Sequence, residues 1–106
     1  MRCFKLQEIC NQICEHFCLS PIKVQFSDCI SLNFRGLYFC ELIGIANWTN
    51  RFKNSKKIQI DTLLHELSHH LHMQQMRKRN ISIETENMHG KQFRQCFQEI
   101  RNFYKP

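Results

Sequence analysis

No apolar stretch in this chain approaches the ~18–20 residues of a membrane-spanning helix, so no membrane partner is expected. Internal repeats and low-complexity segments are also missing, which excludes solenoids and disordered linkers as organising principles. Glycine (three) and proline (two) are sparse, and the few present punctuate a folded chain. Near the N-terminus, Lys5, Glu8 and Glu15 interrupt the apolar residues and leave no signal-peptide core. The expected setting is cytoplasmic, or nuclear in a eukaryotic or viral host. Acidic residues are scarce as well: nine Asp and Glu face fifteen Lys and Arg, a net charge of +6.

What is present suits one compact domain spanning residues 1–106, with 42% hydrophobic residues and nine Phe as bulky core material. Seven cysteines, an odd number without an export signal, point to free thiols in a reducing compartment. Cys10, Cys14 and Cys18 recur every fourth residue, a spacing that matches no structural zinc site. Beside Leu6, Ile9, Ile13 and Phe17 they read as small core or flank residues. The charges of residues 1–50 cancel, and the whole excess lies beyond. Arg51, Lys53, Lys56 and Lys57 form one cluster, Arg77, Lys78 and Arg79 another, and Lys91, Arg94, Arg101 and Lys105 a third. This basic C-terminal half leaves DNA open as a partner. A solvated face, with cations at a helix C-terminus, explains the same charges without one. Trp48 is an aromatic that could stack on a base or cap a small core.

Periodicity predicts an amphipathic helix over residues 3–18, stopped by Ser20 and Pro21. Alternation predicts strands over 22–26 and 30–34, and a third within 37–45 carrying a bulge or bend at Gly44. Residues 47–55 read as a loop. Residues 57–60 read as a short strand leading to Asp61, the expected N-cap of a helix over 62–76 that Asn80 can end. A connector follows over 80–87, with a short extended stretch at 81–83. A last helix begins at Met88, with Phe93, Cys96, Phe97, Ile100, Phe103 and Tyr104 inward. The fold class is α+β: an N-terminal helix, a small three- to four-stranded sheet and two further helices.

The long helix carries His65-Glu66-Leu67-Ser68-His69, the pattern H-E-x-x-H. Residues four apart on a helix share a face, so His65 and His69 can hold one zinc ion. Glu66, turned about 100° away, is free to act as a base toward water beside the ion. A catalytic zinc site needs a third protein ligand and an open fourth position. One straight helix cannot wrap His72 around the same ion as well, and the metzincin spacing fails because His72 and Gln75 stand where glycine and histidine are required. His89 is the best candidate, with Gly90 beside it allowing close backbone approach and Phe93 anchoring the helix. Glu84, Glu86 and Glu99 remain competing ligands, although Glu99 is expected to face water.

H-E-L-x-H in an apolar helix, followed by His89-Gly90-Lys91-Gln92-Phe93 opening another, resembles the SprT-like zinc metallopeptidases, which include the Spartan proteases. The resemblance implies a zincin-like minimal metallopeptidase domain in which Zn2+ is bound by His65, His69 and His89, with Glu66 as the general base. It implies an endopeptidase with a protein substrate, DNA-bound or DNA-crosslinked proteins being the class that Spartan members suggest, and so a link to DNA repair. The sheet edge that receives the peptide is expected within residues 37–45. Tyr38, Tyr104 and the nearby arginines are all open as the oxyanion-stabilising group. The alternative expectation is a non-catalytic, zinc-stabilised module that binds nucleic acid through the basic half.

Overall fold

A computed structural model describes residues 2–39, 41–79 and 89–105, without the side chains of residues 2–4. The connector 80–87, Asn80 as a helix end, Glu84, Glu86 and Met88 as a helix start all lie outside the described residues.

Helix α1 spans Arg2–His16 and buries Leu6, Ile9, Cys10, Ile13 and Cys14, the spacing of one helix face. Cys18 follows in the left-handed region, and the Leu19 amide closes on Cys14 O at 2.8 Å. The four-residue cysteine ladder therefore splits. Cys10 and Cys14 are buried, Cys18 is exposed, and all three are free thiols.

Three strands form the main sheet in the order β1-β3-β2: β1 Lys23–Ser27, β2 Gly36–Phe39 and β3 Leu42–Ala46. β1 runs parallel to the central β3, and β2 runs antiparallel to it. Two sequence expectations are corrected here. Residues 30–34 form no strand, although they alternate. Their carbonyls serve elsewhere, Leu32 O accepting from Asn50 N at 2.7 Å and Ile30 O from Arg51 N at 2.9 Å. The single strand expected over 37–45 is an antiparallel pair, β2 and β3. Gly44 makes no bulge: it lies in register opposite Leu37, whose Cγ would stand 3.3 Å from an added Cβ.

The expected loop 47–55 holds a small ladder of β4 Trp48–Thr49 and β5 Phe52–Lys53. The turn between them places Asn50 (φ 50°) and Arg51 (φ 69°) in the left-handed region that two-residue hairpins use. The short strand expected at 57–60 is helix. α2 runs Lys56–Lys78, and Ser55, not Asp61, is its N-cap, accepting from Ile58 N at 3.3 Å. The buried Gln59 side chain explains the earlier start, since its Nε2 donates to Asn47 Oδ1 at 2.9 Å and ties that turn to the hairpin base. Helix α3 covers Lys91–Phe103, buries Phe93, Cys96 and Ile100, and leaves Phe103 at the surface.

The result is a small α+β fold of three helices and a few-stranded sheet among the described residues. Leu63, Leu64, Leu67 and Leu71 of α2 share one core with Val24, Ile43 and Ile45 of the sheet, Ile9 and Ile13 of α1, and Ile100 of α3. α2 lies against β2 and β3 on one side and α3 on the other. Among the described residues, no helix is long and apolar enough to cross a membrane.

Candidate metal centre

The turn ahead of α3 brings His89 to the face of α2 that carries His65 and His69. One ligand-capable atom from each of these three residues falls within 4.8 Å of the others. The ring centroids stand 5.0 Å (65–69), 5.4 Å (65–89) and 4.8 Å (69–89) apart. Phe93 supports the group. Its ring lies 4.4 Å from His69, 5.0 Å from His89 and 5.1 Å from His65, so the expected anchor of α3 is also the wall behind the imidazoles.

The donor set suits a metal ion. His69 Nδ1 is buried and has no hydrogen-bond partner among the described residues, an arrangement that costs free energy unless something else takes the lone pair. Burial pushes the His69 imidazole down to about 4, with the neighbouring histidines adding to the effect, and lowers that of His65 for the same leading reason. Both rings are therefore neutral at pH 7, the form that ligates metal. These three histidines can hold a metal ion.

Of the competing ligands, Glu99 is the one among the described residues, and it is not gathered here. Glu99 is exposed and borders a recess with Gln75, Lys78 and Arg79. His72 is fully buried one turn beyond His69, its ring 6.4 Å from Phe93, and stays outside the three-histidine group.

Glu66 is buried between two cavities. One, of about 400 Å³, is lined by Gly36, Tyr38, His65, Glu66, His69 and His89. The other, of about 430 Å³, shares Gly36, His65 and Glu66 and adds Arg35, Thr62 and Phe97. Burial pushes the Glu66 carboxyl up to about 7. Gly36 is required where α2 meets β2, because an added Cβ would stand 2.5 Å from Thr62 Cγ2 and 2.9 Å from Gly44 O.

A second histidine of α2 fixes the edge strand. His70 Nε2 lies 2.9 Å from Ser20 O, which can only accept, so in the neutral ring that nitrogen carries the proton. Nδ1 then accepts from the Tyr38 hydroxyl at 2.8 Å. Of the oxyanion candidates, Tyr38 and Arg35 border the cavities beside Glu66, whereas Tyr104 packs against the hydrophobic core. The Tyr38–His70 link joins positions 32 apart and has no local sequence signal.

Comparison with protein-family models, with curated proteins and with solved structures returned no match to this chain.

Proposed function

We propose that the chain is a zinc-dependent endopeptidase of zincin-like, SprT-like type. The observation that carries this reading is the convergence of three imidazoles from two segments beside a buried glutamate in one cleft. A set of three histidines, with no fourth ligand among the described residues, is the donor pattern of catalytic zinc; structural sites close with four. His65, His69 and His89 would hold the ion, which supplies Lewis acidity for a carbonyl and for water when bound.

Glu66 does the proton work. Its carboxylate takes the proton of the attacking water and returns it to the leaving nitrogen. A carboxyl near 7 has both protonation states within reach at neutral pH, as that exchange requires. β2 supplies the substrate edge. Among the described strands it pairs with β3 alone, and Gly36 and Tyr38 bring it to the same cavity as Glu66. An extended peptide adding to that edge would present a carbonyl to the cleft. DNA-bound proteins are the proposed substrate class, on the sequence resemblance alone.

The test is cleavage of unfolded casein by protein of measured zinc content. The expected result is stoichiometric zinc, activity lost in chelator and restored by zinc, and a Glu66→Gln variant that keeps the metal while losing on the order of 10²–10⁴-fold in rate. Wild-type cleavage by Glu66→Gln overturns the assignment. Stoichiometric zinc with no cleavage would identify a metal-stabilised module instead.

A further inference from the structure

The hairpin β4–β5 presents an aromatic ring that the fold gives no reason to expose. Phe52 is 77% exposed, the most of the large hydrophobic residues described, while Phe93 is buried and Phe17, Phe26 and Phe97 pack on the core. Its position is held firmly. Asn54 Nδ2 donates to Ala46 O and to Thr49 Oγ1, both at 2.9 Å, and Asn54 N donates to Asn47 O at 2.8 Å. The turn amides of Asn50 and Arg51 are bound to the 30–32 segment. Arg51 is held at φ 69°, a conformation that costs a non-glycine residue and persists where its surroundings over-determine it.

Charge around the ring has one sign. Residues 47–60 carry Arg51, Lys53, Lys56 and Lys57 and no acidic residue. Asp28, which reaches the hairpin base, accepts from Asn47 Nδ2. A recess of about 310 Å³ at the foot of the hairpin is lined by Lys53, Asn54, Ser55, Lys56 and Gln59. Lys56 and Lys57 occupy the first turn of α2, where the helix dipole disfavours cations. Four other basic groups have ordinary explanations. Arg77 and Lys78 sit in the last turn of α2, where the dipole favours them; Lys78 and Arg79 share a recess with Glu99; Arg101 lies over Phe97. Phe52, the most exposed large hydrophobic residue described, stands between Arg51 and Lys53 in the chain.

We propose that this hairpin docks single-stranded nucleic acid, Phe52 stacking on an unpaired base while Arg51, Lys53 and Lys56 hold the flanking phosphates. An acidic peptide would meet the cations and leave Phe52 in water. A duplex keeps its bases stacked on each other and offers the ring no face. Trp48, the aromatic that the sequence suggested for stacking, is half-buried and pairs across the ladder with Lys53. The proposal is independent of the peptidase reading.

Fluorescence anisotropy of the full chain tests it, with a labelled oligothymidylate about 15 nucleotides long, a duplex of equal length and an oligoglutamate as probes. The single strand should bind tightest, with affinity falling steeply as salt rises. Phe52→Ala should weaken it roughly tenfold and leave the salt slope intact, and Phe52→Trp should restore it. Lys53→Glu with Lys56→Glu should weaken binding further and flatten the slope. These side chains are exposed, so zinc content and thermal midpoint serve as controls for folding. Wild-type affinity in Phe52→Ala, or a duplex or oligoglutamate binding as tightly as the single strand, overturns the proposal.

Discussion

Glu66 is the residue on which the proposed proton transfer and stability make opposing demands. In the metal-free fold its carboxyl lies near 7, raised by burial from an ordinary 4.5. A folded value above the unfolded one adds stability that is complete below pH 4.5 and is lost as pH rises through about 7. Glu66→Gln has no such loss. In chelator, the variant should therefore gain on the wild type as pH rises from about 4.5 to about 7. Discounted for water reaching the carboxylate through the cleft, the gap should amount to about 1–2 kcal/mol. Urea midpoints across that pH range measure it, and parallel curves would mean that the carboxyl titrates as if exposed. At this scale the candidate site was largely legible. His65, Glu66 and His69 follow from helical spacing, and His89 from the glycine and phenylalanine around it. Tyr38 was named as an oxyanion candidate, but its link to His70 was hidden because that contact is made by tertiary packing. Phe52 was hidden because alternation and composition do not report exposure.

Among the elements, the α2–β2 contact governs the cleft, and Gly36 sets how closely the two approach. Gly36→Ala drives a methyl into Thr62 Cγ2 and the Gly44 carbonyl; the latter is backbone of the central strand and cannot swing aside. The expected cost is about 2–3 kcal/mol, at the upper end of overpacking, read from denaturant midpoints. The proposed peptidase activity should fall more than the loss of folded protein accounts for, because the same shift moves the proposed substrate edge away from Glu66. An unchanged midpoint would show that β2 is free to slide. The elements were less legible than the site residues. The helices announced themselves through long apolar faces, but short segments misled. Ile58 and Ile60 alternate like a strand, yet the capping bond of Ser55 and the buried amide of Gln59 commit that turn to helix. Residues 37–45 are apolar apart from Glu41 and Gly44, and the single charge of Glu41, which stands at the reversal between β2 and β3, is too short a break to announce a turn.

The molecule as a whole is held across its candidate site. Two of the possible ligands ride on α2 and the third just ahead of α3, and the helices otherwise meet through a few buried side chains, among them Phe93, Cys96 and Ile100. An ion bound only by the folded arrangement stabilises it by RT ln(1 + [ion]/Kd), about 4 kcal/mol at a thousandfold excess over Kd. In a chain of this size that corresponds to roughly 10–20 °C in thermal midpoint. Zinc should therefore raise the midpoint of the metal-free wild type by that order. His89→Ala should leave the metal-free midpoint near its original value, because His89 is exposed, and should abolish most of the response to zinc. Each histidine of α2 alone is a weak ligand, and only closure of α3 onto α2 completes the set. Calorimetry of the two proteins with and without zinc decides the matter. An equal rise in His89→Ala would put the ion on α2 alone, with His72 as the residue to examine next, and would remove the link between metal binding and the docking of the last helix.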